Sequence, residues 1–255
     1  MCMMMLDISK RIIFSIANLV FISFSSSQVA QPLSTKITSP NKEYSLIISG
    51  RFYEGFAGDQ NVILCNSRGD TLWNKIINGR GFSFPAISNE GKVSIRQLFK
   101  LYIYNYEGTN LGTWTLEKGH NYVFLDDEPA HFVQGFDADG KRLYFYIREF
   151  NTTKTNLVCL SDFAKSLWTT DLGDYQGTGL LFFRDLIITY DLYCAHVEYV
   201  NSCRIFNMKG QQIWRYDIDL KKPLTPEQIV LDDKNGTLRL NGPFGRKSID
   251  LLKLD

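Results

Sequence analysis

Four stretches of this 255-residue chain repeat one pattern. Each is an apolar run, then a polar turn that usually contains glycine, then a short run that carries tryptophan. The stretches span residues 62–73, 101–114, 157–168 and 203–214, and they contain all four tryptophans of the chain. A repeated unit predicts a repeated sheet architecture, because each copy can bury its apolar face only against its neighbours. It argues against a single α/β domain built around one nucleophile.

A second repeated element precedes the tryptophan stretches. Polar turns begin at Ser39, Ser88 and Asp137, so they recur every 49 residues, and a related turn begins at Asp233. Aspartate, asparagine and glycine suit such turns because they tolerate left-handed backbone angles. The flanking runs are rich in Ile, Leu, Val, Phe and Tyr, which favours strands. Four strands in about 45 to 50 residues are typical of one blade of a β-propeller.

Both elements resemble the repeats of known families. The turn Asp137-Ala-Asp-Gly-Lys141 resembles the Ser-Pro-Asp-Gly-Lys turn of bacterial WD40-like repeats, and residues 69–73 and 210–214 resemble the Gly-x-x-x-Trp ending of quinoprotein-like (PQQ) repeats. The resemblance covers residues 36–255 and implies the propeller fold, without selecting a subfamily. Because the fuller quinoprotein signature is absent, we expect no quinone and no other cofactor.

The sequence therefore predicts an all-β protein, a β-propeller of about five four-stranded blades. The expected blades span approximately residues 36–79, 80–119, 120–172, 173–219 and 220–255. The last blade has no tryptophan strand, so an N-terminal segment over residues 28–35, extending to Ile37, is predicted to complete it and close the ring. The alternative is an incomplete ring that a partner chain completes.

The N-terminus has the pattern of a secretory signal. Lys10 and Arg11 precede an apolar run over residues 12–24, and small residues follow as far as Ala30. The run of about 13 residues is shorter than the roughly 20 that span a bilayer. We predict a signal peptide over residues 1–27, with cleavage after Ala30 as the alternative, and a secreted or periplasmic protein without membrane contact after cleavage. An N-terminal membrane anchor is the other interpretation.

The charge of the chain excludes one class of partner. The 28 basic and 27 acidic residues nearly balance. Removal of Lys10, Arg11 and Asp7 with the signal leaves equal numbers of each. Nucleic-acid binding requires clustered basic residues that displace counterions, and no such cluster occurs, so we expect no nucleic-acid partner.

The cysteines fit no zinc pattern. Cys194 and Cys203 flank a hairpin turn predicted at Glu198 and Tyr199, which would place them directly opposite each other. An exported protein permits a cross-strand disulfide between them, and two independent buried thiols are the alternative. Cys65 and Cys159 are expected to be free and buried.

The tryptophans are assigned a structural role. An aromatic residue that recurs at one repeat position is expected to fill the gap between neighbouring blades. Stacking against carbohydrate is the other interpretation. The four residues are Trp73, Trp114, Trp168 and Trp214.

Turn lengths predict where a binding site lies. The longer connections, over residues 50–61, 116–133, 148–156, 171–179, 220–228 and 241–247, are all expected on one face of the propeller. Long loops on a rigid scaffold commonly carry binding residues. The candidate ligand-binding residues are Arg51, Tyr53, Phe56, Asp59, His120, Tyr122, Asp126, Asp127, His131, Tyr175 and Arg246. The loop over residues 117–131 has residue types that suit a divalent metal, but a solvated acidic turn explains them more simply, and we assign no metal site.

No catalytic motif is visible, so we assign no catalytic residue. The expected function is a non-catalytic binding or scaffold module for a protein, peptide or glycan. The alternative is a glycoside hydrolase, which requires two carboxylates about 5 to 10 Å apart across a pocket. Its candidates are Asp59, Asp126, Asp127 and Asp174.

Overall fold

The structure is a computed structural model, and it describes most of the chain after Ala30. The described residues are 31–53, 56–77, 85–97, 99–116, 122–124, 134–149, 154–174, 179–193, 199–218, 224, 228–242 and 245–254. Almost all of them form strands and turns, and a 3-10 turn at Leu251–Lys253 follows the last strand. Within these ranges, no helix is long and apolar enough to cross a membrane.

The described strands form five antiparallel sheets. The first contains β1 (Gln31–Thr38), β2 (Tyr44–Tyr53), β3 (Phe56–Asn66) and β4 (Thr71–Ile77). The second contains β5 (Ala86–Ile87), β6 (Val93–Gln97), β7 (Lys100–Tyr104) and β8 (Asn110–Thr115). The third contains β9 (Tyr122–Phe124), β10 (Gln134–Phe136), β11 (Arg142–Glu149), β12 (Lys154–Ser161) and β13 (Ser166–Asp174). The fourth contains β14 (Gly179–Phe183), β15 (Leu186–Tyr193), β16 (Tyr199–Asn207) and β17 (Gln212–Asp217), and the fifth contains β18 (Ile229–Asp232), β19 (Thr237–Gly242) and β20 (Gly245–Asp250).

Strands lie in chain order within each sheet, and consecutive sheets pack face to face. For example, Leu46 of the first sheet shares an apolar core with Val93 of the second. Similar cores join the second sheet to the third, the third to the fourth and the fourth to the fifth. Repetition of this packing along the chain produces a five-bladed β-propeller, which confirms the predicted fold class.

The predicted N-terminal closing strand is wrong. β1 pairs along its whole length with β2, from Gln31 opposite Phe52 to Thr38 opposite Ser45. It is therefore the first strand of the first sheet and not a strand of the last. Because the first blade was predicted to begin at residue 36, most of β1 lay outside it, and the blade lacked its own first strand.

Two segments predicted as long loops consist largely of paired strands. β2 and β3 extend toward each other until Tyr53 pairs with Phe56, and Gly242 pairs with Gly245 between β19 and β20. Polar residues and glycine are typical of loops, but in these segments they lie in extensions of paired strands. A bulge between Gly50 and Phe52 allows the longer hairpin to bend.

The register predicted for the cysteine pair is also wrong. Tyr193 pairs with Tyr199, so the hairpin reverses earlier than predicted, and Cys203 lies opposite Tyr190. Cys203 is a free, buried cysteine, as are Cys65 and Cys159. Cys194 lies outside the described residues. The cross-strand geometry that favoured a disulfide is therefore absent.

The sheets have two different ends. At the turn end, the first strand passes to the second and the third strand passes to the fourth. At the crossover end, the second strand passes to the third and the chain leaves for the next sheet. This distinction follows from the antiparallel strand order and applies to each four-stranded sheet.

Hydrogen bonds join neighbouring sheets at the turn end. The backbone N–H of Asn41 donates to Asn89 Oδ1 at 2.8 Å, and Asn89 Nδ2 donates to the Ala138 carbonyl at 3.3 Å. Lys92 Nζ lies 2.9 Å from Asp162 Oδ2 in the next sheet. The asparagine bonds connect equivalent turns of consecutive sheets, which accounts for the recurrence of the polar turn sequence, and Lys92 reaches the turn between β12 and β13 of the next sheet.

Each tryptophan lies on the outer strand of one sheet, beside the next sheet. Trp73 Nε1 donates to the Asn105 carbonyl at 3.3 Å, and Trp168 Nε1 donates to the Met208 carbonyl at 2.9 Å. Trp114 packs against Phe145 with ring centroids 5.2 Å apart. Trp214 joins the core shared by the fourth and fifth sheets. The indole rings thus fill the boundaries between consecutive sheets.

The indoles of Trp73 and Trp168 each face a turn of the next sheet, called here the receiving turn. A glycine in that turn leaves room for the indole ring. Gly210 has a φ of +76°, and a Cβ there would lie 2.7 Å from the Trp168 ring. Gly69 has the same turn position in the first sheet and a φ of +88°, but nothing lies within 4 Å of its Cβ position. Gly69→Ala should therefore report backbone strain alone, about 1 kcal/mol. Gly210→Ala should cost a further 1–3 kcal/mol or so from overpacking.

Chemical denaturation of the two glycine variants measures this difference. Equal losses in the free energy of unfolding would show that the Trp168 contact does not constrain the turn.

We expect Cys159 and Cys203 to be unreactive in the folded protein. Burial raises the pKa of each thiol to about 12, so thiolate is scarce at neutral pH. Iodoacetamide followed by peptide mass spectrometry should label neither residue in the native protein and both after unfolding without reductant. Persistent protection of Cys203 after unfolding would reveal a disulfide and contradict the observed register.

Candidate functional site

Buried polar side chains differ between the two ends of the sheets. At the turn end, the Asp137 carboxylate accepts hydrogen bonds from the backbone N–H groups of Lys141 and Arg142 at 2.8 and 3.2 Å. Burial raises the pKa of this carboxyl, although the backbone hydrogen bonds act in the opposite direction. Ser39 and Ser88 likewise accept hydrogen bonds within their own turns. These three side chains therefore serve to form their own turns, whereas the buried Ser94 hydroxyl donates to Gln134 Oε1 of the third sheet at 2.7 Å.

The second and third strands contain another set of buried polar side chains, which no turn explains. They are Gln60, Thr155, Asn156, Thr189, Asp191, Ser202 and Arg204. Five of them lie in the half of the strand nearest the crossover end, and the paired Thr189 and Arg204 lie near the middle of their strands. Buried polar groups require hydrogen-bond partners. Because most of this set lies toward one end of the sheets, that end is the candidate location of a functional site.

The boundary between the third and fourth sheets is the most polar of these places. Arg204 of β16 donates to the Leu172 carbonyl of β13 at 2.9 Å. The Tyr146 hydroxyl of β11 donates to the Gly179 carbonyl of β14 at 3.0 Å. Both bonds cross from one sheet to the other at the crossover end, and so they hold this part of the scaffold rigidly.

Charged side chains face each other across the same boundary. Tyr146 and Ile187 belong to the core that the two sheets share. Side chains two residues apart in a strand lie on one face, so Arg148 lies on the face of Tyr146. By the same alternation, Asp191 lies on the face of Ile187. Asp191 is 3% exposed, and a carboxylate this buried requires cationic or hydrogen-bonding neighbours.

A close approach of the backbone occurs beside these charges. Tyr190 pairs with Gly179 between β15 and β14. Any Cβ at Gly179 would overlap the Tyr190 ring. Glycine is therefore required at the start of β14, where the tyrosine ring covers the backbone.

Buried amide groups without partners occur on the first and fifth sheets. Gln60 is 4% exposed, and its Nε2 has no hydrogen-bond partner within the described part of the chain. The same holds for Asn61 Oδ1 and Asn241 Oδ1. All three side chains lie toward the crossover end. Buried donors and acceptors that lack partners mark places that an additional molecule can satisfy.

Six of the predicted ligand-binding residues lie on described strands. Arg51 and Tyr53 lie in β2, Phe56 and Asp59 in β3, Tyr122 in β9 and Arg246 in β20. The side chains of Asp59 and Arg246 are exposed. His120, Asp126, Asp127, His131 and Tyr175 lie outside the described residues. All six lie toward the crossover end, and Tyr53 and Phe56 pair with each other across β2 and β3.

The acidic segment over residues 125–133 interrupts the first strand of the third sheet. β9 ends at Phe124 and β10 begins at Gln134, and both pair with the same edge of β11. The segment itself lies outside the described residues. Among the described residues, no group of three or more His, Cys, Asp or Glu side chains suits a metal ion.

Sequence reasoning missed the buried polar residues at the boundary of the third and fourth sheets. It favoured loops, whereas Thr189, Asp191 and Arg204 lie inside strands. A signal was present in the sequence. Thr189 and Asp191 follow Ile187 at intervals of two residues, so in a strand they share the face of that apolar residue. Polar residues on the buried face of a strand are unusual enough to indicate a special environment.

No protein-family model and no curated protein matches this chain. Solved structures match it in fold. The crystal structure of the mitotic checkpoint complex matches with a TM-score of 0.54 and 9% identity, over 84% of this chain and 60% of the other. Dipeptidyl peptidase 4 of Porphyromonas gingivalis matches with a TM-score of 0.54 and 12% identity, over 80% and 35%.

A third solved structure, oligogalacturonate lyase in complex with manganese, matches with a TM-score of 0.51 and 10% identity, over 85% of this chain and 63% of the other. This chain therefore spans at most about three fifths of the length of the matched chains. At such identities the likeness concerns the fold alone, and it supports a β-propeller scaffold.

Proposed function

We propose that this protein is an exported β-propeller that binds a protein, peptide or glycan through its crossover end, without catalysis. One observation carries the proposal. The buried side chains of Ser39, Ser88 and Asp137 at the turn end are used by their own turns, whereas buried polar side chains toward the crossover end, such as Gln60 and Asp191, serve no turn.

The scaffold suits such a role physically. Cross-sheet hydrogen bonds from Arg204 and Tyr146 fix the third and fourth sheets relative to each other toward the crossover end. A rigid framework reduces the entropy lost on binding. Exposed charges of both signs, at Asp59 and Lys154, lie at the same end, and the near-neutral charge of the chain favours specific contacts over general attraction to polyanions.

Carboxylates at the crossover end provide a direct test. Asp59 and Asp174 are both exposed there. The probes are an array of defined glycans and a displayed library of random peptides. Asp59→Ala with Asp174→Ala should weaken binding of a selected ligand by about tenfold, as expected when a contact worth roughly 1–2 kcal/mol is lost.

Asp70→Ala with Asp139→Ala is the matched control, because these carboxylates are exposed at the turn end. The control should leave the dissociation constant unchanged. Weaker binding in the control, but not in the Asp59 and Asp174 variant, would show that the ligand binds at the turn end and would contradict the proposal. Release of new reducing ends from a glycan, abolished by the crossover-end variant, would instead favour the glycoside hydrolase.

Export is tested by the mass of the mature N-terminus. The basic flank, apolar run and small residues over 10–30 support removal of a signal. We expect the protein recovered from its native host to begin at Gln28, or at Gln31 if cleavage follows Ala30. An intact N-terminus retained with membranes would contradict export as a free protein.

A further inference from the structure

The fifth sheet differs from the other four in the strand that forms its outer edge. In the first four sheets, a fourth strand covers the third: β4 covers β3, β8 covers β7, β13 covers β12 and β17 covers β16. In the fifth sheet, β20 is the third strand, and no strand among the described residues pairs with its outer side. A bare edge strand presents backbone donors and acceptors that can pair with another chain.

The backbone hydrogen bonds of β20 alternate along the strand and show which residues direct their N–H and C=O groups to the outer edge. The backbone N–H of Leu251 donates to the Gly236 carbonyl at 2.8 Å, so Leu251 directs its backbone toward β19. Backbone direction alternates along an antiparallel strand. The N–H and C=O groups of Arg246, Ser248 and Asp250 are therefore directed to the outer edge.

These same residues form a self-complementary charge pattern. Arg246, Ser248 and Asp250 are all exposed, with a cation at one end of the edge and an anion at the other. In an antiparallel pair of two β20 strands centred on Ser248, Arg246 of each copy lies opposite Asp250 of the other. Opposite charges directly across a strand pair are stabilising.

We propose that two copies of this chain pair through the outer edges of β20, in an antiparallel register centred on Ser248. The two fifth sheets then form one continuous sheet across a two-fold axis. Such an interface is closed, because each copy supplies the same edge.

The register follows from two independent requirements. With Ser248 opposite Ser248, the outward residues Arg246, Ser248 and Asp250 form three hydrogen-bonding pairs. A shift by two residues removes one of these pairs and both Arg–Asp pairs. A shift by one residue places outward backbone groups opposite inward ones. The central register is therefore the one that satisfies backbone and charge together.

The proposed dimer gives Arg246 a different role from ligand contact. Lys247 and Ile249 lie on the face that packs toward the fourth sheet. Arg246 therefore lies on the opposite face, where it would meet Asp250 of the second copy. The ligand proposed at the crossover end does not depend on this pairing, so either proposal can fail while the other stands.

Sedimentation velocity of the full chain over a wide range of concentration tests the dimer. The wild-type protein should shift from monomer to twice the monomer mass as concentration rises. Arg246→Asp places two anions opposite each other, and Asp250→Arg places two cations, so each variant alone should remain monomeric. An equimolar mixture of the two should regain the dimer, because each mixed pair again joins Arg to Asp.

The mixture also controls for folding. Asp250 accepts a hydrogen bond from Leu252 N at 3.1 Å, so its replacement weakens the following turn. A variant that failed to fold would not be rescued by mixing. Arg215→Asp is the matched control, because Arg215 lies on β17, the outer strand of the fourth sheet, and it should dimerise as the wild type does.

A second variant tests the backbone pairing itself. Ser248→Pro removes the N–H at the centre of the proposed interface, and it should abolish dimers without altering the charge. The proposal is overturned if the wild type stays monomeric at every concentration, if dimers persist in Arg246→Asp and Ser248→Pro, or if the mixed variants fail to associate.

Discussion

The packing of one sheet's outer tryptophan against the next sheet is the contact on which the rest of the structure depends. Trp73 and Trp168 each span a boundary and donate to a turn carbonyl on the far side. A large ring in a fixed position sets the spacing and angle between consecutive sheets, because protein interiors are close-packed and tolerate little overlap. The glycine in the receiving turn is the complement of the ring, as the contact between Gly210 and Trp168 shows.

The two ends of the sheets differ in how they use their polar groups. At the turn end, Asn41, Asn89 and Lys92 link the turns of neighbouring sheets and use their polar groups in doing so. The crossover end is left to carry polar groups that no turn needs. Asp191 and Arg204 are themselves buried charged residues. The apolar cores and the contacts at the turn end already join the sheets, so these two residues are not needed to form the turns.

Some of this arrangement was readable from the chain and some was not. The 49-residue recurrence of polar turns predicted the blades, because a repeat with strand-forming flanks has few architectures open to it. Loop prediction failed between Gly50 and Gln60, where glycine and polar residues lie in paired strands with a bulge. The register of Cys203 failed for a related reason, because a hairpin's reversal point depends on pairing energies along both strands and not on the turn residues alone.

The sequence by itself determined the repeat, the all-β class and the position of the four tryptophans, because these follow from local periodicity and side-chain size. Only the tertiary structure decided that β1 joins β2, that Arg148 and Asp191 face one boundary, and that no described strand pairs with the outer side of β20. Those features depend on where each sheet begins and ends and on which sheet faces meet, and both are selected by packing between sheets. Local residue preferences do not contain that information.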